Sequence, residues 1–106
     1  MENEITAKEL NHSLQESPGQ FFLIDLMGKE EFAGTHLPGA VNIPIEELAN
    51  RIAEVPRDKE VVVVCKRGLM KSDMALQQLQ KSGFANAKKL AGGTLGWFDS
   101  FPAENS

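Results

Sequence analysis

The run Val61-Val62-Val63-Val64 constrains this chain more than any other feature. Four β-branched residues in succession leave no polar face for water, so they predict a strand buried on both sides. A strand covered on both faces needs helices on both faces, which is the arrangement around a parallel sheet in an α/β fold. Phe21-Phe22-Leu23-Ile24, closed by Asp25, is a second continuous apolar run of strand length. Ala40-Val41-Asn42-Ile43 and the stretch from Ala87 to Leu90 read as two shorter strands.

Helical patterns separate these strands. Thr6-Ala7-Lys8-Glu9 is a capping box, with Ile5 and Leu10 placed as a hydrophobic staple. Ala7, Leu10 and Leu14 then share one face, and Pro18-Gly19 ends the helix. A short helix is expected from Lys29 to Phe32, a turn at His36-Leu37-Pro38-Gly39, and a helix carrying Ile45, Leu48, Ile52 and Val55 up to Pro56. After the valine run comes a glycine-containing loop, then a helix with Ala75, Leu76 and Leu79 inward that stops at Gly83. The Gly92-Gly93 turn leads into a last helix carrying Leu95, Trp97 and Phe98. The expected fold is an α/β sandwich with a mostly parallel sheet, one domain over residues 1–106.

Composition narrows the function. A net charge of −4 argues against a nucleic-acid or anionic-lipid coat, which needs a basic stripe. No apolar run reaches membrane-span length, and Met1-Glu2-Asn3-Glu4 has neither a basic nor an apolar export segment. The expectation is a soluble, cytoplasmic protein without nucleic-acid or membrane partners. One cysteine and two distant histidines, His12 and His36, do not form a metal-ligand spacing, and neither metal nor cofactor is called for.

A lone cysteine is ordinarily a small, inert core residue. Cys65 is placed differently. It follows the most buried strand directly, at the carboxyl edge where open parallel sheets bind ligands. The segment Cys65-Lys66-Arg67-Gly68-Leu69-Met70-Lys71-Ser72 then runs into a helix. A loop of this kind can turn successive amides inward to cradle an anion, aided by the helix N-terminus. Lys66, Arg67 and Lys71 add formal positive charge. The same donors stabilise a thiolate, so Cys65 is the candidate nucleophile and Lys66 through Ser72 the candidate anion-binding residues.

Four segments in order resemble the rhodanese (sulfurtransferase) family, and they extend from Phe22 to Trp97. Leu23-Ile24-Asp25 is similar to the family's first-strand motif. Glu30-Glu31-Phe32 followed by His36-Leu37-Pro38-Gly39-Ala40-Val41-Asn42-Ile43-Pro44 is similar to its second signature. Val63-Val64-Cys65 with Gly68 resembles the active-site entrance, and Leu90-Ala91-Gly92-Gly93-Thr94-Leu95-Gly96-Trp97 the closing signature. The resemblance implies a three-layer α/β/α sandwich around a five-stranded sheet. It also implies a persulfide mechanism, in which Cys65 takes sulfur from a small anionic donor such as thiosulfate, or from a persulfide. The sulfur then passes to cyanide or a thiol, including a protein thiol partner.

Two positions depart from the family pattern. Met27 stands where the first-strand motif usually continues to arginine, which implies a missing ion pair with little bearing on chemistry. The family loop is usually Cys-x4-Arg followed by Ser. Counting forward from Cys65 puts Met70 at the Arg position; counting back from Leu79, Gly83 and Phe84 puts Lys71 there and Ser72 at the Ser position, with one residue inserted. That register is preferred, because moving the helix instead would rotate its apolar face by about 100°. The loop then reads Cys-x5-Lys and resembles the longer loop of related cell-cycle phosphatases and arsenate reductases. Against that alternative, Lys71 lacks arginine's planar fork, Gly68 matches the sulfurtransferase loop, and the loop holds no general acid. A third reading is a sulfur-relay or binding module loaded by a partner. His36 and Asp25 are read as structural, Trp97 and Phe98 as core, and Glu46-Glu47 as a solvated helix start.

Overall fold

The computed structural model describes residues 3–102, so Met1 and Glu2 of the expected leaderless N-terminus lie outside the described residues. Five strands form one sheet, β1 (Glu4–Ile5), β2 (Phe21–Asp25), β3 (Val41–Asn42), β4 (Glu60–Val64) and β5 (Lys88–Leu90), in the order β1-β5-β4-β2-β3. Every pairing is parallel, so the mostly parallel sheet expected is a wholly parallel one. Helices α1 (Ala7–Glu16), α2 (Lys29–Gly34), α3 (Ile45–Arg51), α4 (Met70–Lys81) and α5 (Gly93–Ser100) connect or follow the strands.

The valine strand sits at the centre, between β2 and β5, and feeds two cores. Val61 and Val63 pack with Ile24, with Leu48 of α3 and with Ala75, Leu76 and Leu79 of α4. Val62 and Val64 pack on the opposite face with Leu10 of α1 and Trp97 of α5. None of the four valines is more than 3% exposed. This alternation explains why the run carries no polar residue and produces the three layers.

The N-terminal capping box forms as the sequence predicts. The Glu9 amide donates to Thr6 Oγ1 at 3.1 Å and the Thr6 amide to Glu9 Oε1 at 2.9 Å. β1 carries no sequence signal of its own, because two residues are too few to show alternation. It exists through pairing, Glu4 with Lys89 and Ile5 with Leu90. β3 is shorter than the expected Ala40–Ile43, and the helix carrying Ile45 gives way to a 3₁₀ turn at Ile52–Glu54. Leu95, grouped by sequence with Trp97 and Phe98, is 45% exposed. Among the described residues no helix is long and apolar enough to cross a membrane.

Parallel pairing brings the carboxyl ends of the strands to one edge. Leu26 and Met27 after β2, Cys65 after β4 and Ala91-Gly92-Gly93 after β5 therefore converge.

Candidate active site

Cys65 is 5% exposed and lies at the floor of a tight loop between β4 and α4. Two hydrogen bonds end on its sulfur. The Gly68 amide donates to Sγ at 3.1 Å and the Ser72 hydroxyl at 3.2 Å. Burial pushes the thiol up, while the Ser72 hydroxyl and the amides of Leu69, Arg67 and Gly68 pull it down. The donors prevail, and the thiol lies below its ordinary value.

Backbone geometry makes this possible. Gly68 has φ 74°, a left-handed conformation that L side chains rarely adopt, and the turn there aims its amide back at the sulfur. A Cβ at Gly68 would also stand 2.7 Å from the Leu90 carbonyl oxygen and 2.9 Å from the Gly92 nitrogen. The loop carbonyls are drawn the other way by the start of α5. The Thr94 amide donates to the Cys65 carbonyl at 2.9 Å and the Leu95 amide to the Lys66 carbonyl at 3.0 Å. Gly93 permits that approach, since a Cβ there would overlap the Cys65 carbonyl oxygen. The Gly92-Gly93 turn thus works as a clamp on the loop, a role its place in a sequence motif did not reveal.

The candidate anion-binding residues divide into two groups. Gly68 and Ser72 meet the sulfur, and Ser72 lies on the inward face of α4 with Ala75, Leu76 and Leu79. Arg67 and Leu69 contribute their amides, but their side chains point to solvent, as does that of Lys66. Met70 is 74% exposed and Lys71 only partly buried. Among the described residues none of the side chains of Lys66, Arg67 or Lys71 hydrogen-bonds to Cys65. Hydrogen bonds rather than formal charge therefore lead the stabilisation of the thiolate. Helix α4 begins at Met70, so Met70 and Lys71 occupy its first turn.

Two features beside the loop carry no signal in the sequence. A cavity of about 250 Å³ is lined by Met27, Glu31, Gly34, Thr35, Lys66, Thr94 and Leu95. Met27, expected to matter little, forms part of its wall, and buried Thr94 Oγ1 has no hydrogen-bond partner among the described residues. Lys89 stands beside Val63 in the neighbouring strand and is bound to Asp73 at 2.8 Å. Its pKa is raised first by that hydrogen bond, with the Cys65 thiolate a lesser cause.

The remaining candidates make contacts within the scaffold. His36 Nδ1 lies 2.6 Å from the Phe32 carbonyl, and its ring stacks on Phe32 with centroids 3.9 Å apart. Asp25 Oδ1 accepts the Met27 amide at 2.9 Å, fixing the loop after β2. Trp97 is buried in the second core, and Glu47 pairs with Arg51 at 2.9 Å.

Comparison with known proteins points in one direction. The rhodanese-like domain family matches residues 6–100. A sulfurtransferase of Allochromatium vinosum is 30% identical over 97 residues, covering 92% of this chain and 89% of that protein. An HTH-type transcriptional regulator of Mycobacterium tuberculosis is 33% identical over 96 residues. That match covers 91% of this chain but 42% of the regulator, so the chain spans less than half of that relative. A human single-domain sulfurtransferase superposes with a TM-score of 0.79 at 26% identity, over 92% of this chain and 96% of that one.

Proposed function

The chain belongs to the rhodanese-like domain family, and from that premise we propose that Cys65 carries sulfane sulfur as a persulfide between an anionic donor and a nucleophilic acceptor. The observation that carries this reading is the double donation to Sγ from the Gly68 amide and the Ser72 hydroxyl. It favours the thiolate form without a neighbouring general base, which suits a nucleophile whose target is another sulfur atom.

With thiosulfate as donor, the Cys65 thiolate attacks the outer sulfur. A Cys65 Sγ–S bond forms, the S–S bond of thiosulfate breaks, and sulfite leaves with the electron pair. The outer sulfur of the resulting persulfide is anionic, and the loop amides of Arg67, Gly68 and Leu69, which already act on Cys65 Sγ, are the donors nearest to it in the chain. Attack on that outer sulfur by an acceptor thiolate or cyanide forms the new S–S or S–C bond and returns the Cys65 thiolate. No net redox change or proton source is required, in keeping with a loop that carries no acid.

The regulator relative favours a second reading, since there a homologous segment sits inside a longer chain. In that reading the domain relays sulfur delivered by a partner rather than turning over free thiosulfate. Thiocyanate formation from thiosulfate and cyanide separates the two. Steady turnover by the wild type and none by Cys65→Ser supports the enzyme; fast loading from a protein persulfide without turnover supports the relay. Hydrolysis of an aryl phosphate with no sulfur acquired from any donor would overturn both.

A further inference from the structure

We propose that the rim around Cys65 is a docking surface for the protruding segment of an acidic protein, one whose docking residues are both apolar and negatively charged. Four of the five large hydrophobic side chains exposed among the described residues belong to the Cys65 loop or to the starts of the two helices beside it, α4 and α5. Leu69 is 63% exposed, Met70 74%, Met74 48% and Leu95 45%. Leu69, Met70 and Met74 follow one another through the loop and the first turns of α4. Leu95 flanks the same loop from α5, its amide tied to the Lys66 carbonyl at 3.0 Å and its side chain on the cavity that Lys66 also lines. Apolar side chains left in water and gathered at one place mark an interaction site, and methionine adapts to varied partner shapes.

Charge identifies the partner. The chain as a whole carries −4, yet Lys66, Arg67 and Lys71, three of its 11 basic residues, fall within six positions on this rim. Asp73, the acidic residue of the same segment, is neutralised by Lys89 at 2.8 Å. Glu31 is the one acidic residue lining the cavity that Lys66 also lines. The side chains of Lys66, Arg67 and Lys71 make no ion pair among the described residues, and they do not hydrogen-bond to the sulfur. A basic rim on an acidic molecule steers an acidic partner toward one edge and repels copies of the chain itself elsewhere. Cys65 lies at the floor, 5% exposed, so a flat partner surface would not reach it and a protruding segment would. That the segment brings a thiol or persulfide rests on the function proposed above; the docking does not.

The test is fluorescence anisotropy of the full chain with labelled eight-residue peptides that lack cysteine. One alternates Glu with Leu, one Lys with Leu, one Glu with Ser, and a single-stranded oligonucleotide is run alongside. The Glu/Leu peptide is expected to bind at least about fivefold more tightly than each of the others at low salt, and to lose that advantage as salt rises. Met74→Glu is expected to weaken its binding several-fold while loading of Cys65 by thiosulfate is unchanged. Equal affinity for the Glu and Lys peptides, no measurable binding, tighter binding of the oligonucleotide, or indifference to Met74→Glu would each overturn the docking surface. Because the probes carry no thiol, failure of sulfur loading with selective binding intact would instead count against the sulfur chemistry alone.

Discussion

Replacing Ser72 with alanine removes one of the two hydrogen bonds that end on Cys65 Sγ and leaves no unsatisfied hydroxyl behind. A hydrogen bond to a charged acceptor contributes about 1.5–3 kcal/mol, and the diffuse charge of sulfur argues for the lower end. About 1.5 kcal/mol corresponds to a rise of about one pKa unit, since each unit is about 1.4 kcal/mol. At a pH below both values the thiolate fraction of Ser72→Ala therefore falls about tenfold, while the more basic thiolate is about threefold more nucleophilic. The net expectation is a reaction about threefold slower than wild type in acid and about threefold faster on the alkaline plateau, so the two pH profiles cross. Stopped-flow reaction with an aromatic disulfide reagent across pH reads this directly. The same shift appears in stability. The pKa of Cys65 is lowered by folding, so its contribution is full above the ordinary thiol value of about 8.5 and is lost as pH falls through the folded value. In Ser72→Ala that pH-dependent contribution is smaller. Coincident profiles, or an inflection moved to lower pH, would refute the claim that Ser72 holds the thiolate.

Other perturbations test the scaffold. Gly93→Ala combines a left-handed backbone, φ 61°, with overlap on the Cys65 carbonyl; a loss of about 2–4 kcal/mol in denaturant unfolding is expected, and a loss below about 1 kcal/mol would contradict the clamp. Thr6→Ala breaks the capping box of α1 and is expected to lower stability by about 1 kcal/mol with sulfur loading unaffected, as read by thermal unfolding beside a loading assay. Burial raises the pKa of Asp25, so the protonated form is favoured by folding. Its contribution is full below about 3.9, the ordinary carboxylate value, and is lost as pH rises through the raised value. Wild type should accordingly lose stability relative to Asp25→Asn over that rise, and a difference that stays constant with pH would show that burial does not raise this carboxyl.

How much of this was legible in the chain differs between its parts. Val61–Val64 and Phe21–Ile24 announced themselves because central parallel strands have no solvent face, and each valine found one of the two cores. The capping box was legible because its partners are three residues apart and need no tertiary context. β1 was not, since Glu4 and Ile5 become a strand only by pairing with Lys89 and Leu90. At the site, Cys65 and its anchoring loop were visible from the strand-loop-helix order. The division of labour inside the loop was not. Sequence suggests that Lys66, Arg67 and Lys71 activate the sulfur, because charge can be read from letters. Amide direction cannot, for it depends on φ at Gly68 and on the pull of the Thr94 and Leu95 amides from another helix. For the same reason the letters do not associate Met27 with Thr94, which meet only in the folded chain, on the cavity they share with Lys66.

The central claim is that Cys65 carries the transferred sulfur. Intact-mass spectrometry after thiosulfate treatment tests it most directly, with Cys65→Ser beside the wild type. The expected result is a gain of one sulfur atom by the wild type, removed by cyanide and absent from the variant. A wild-type mass unchanged by thiosulfate and by persulfide donors alike, or an equal gain by Cys65→Ser, would contradict it.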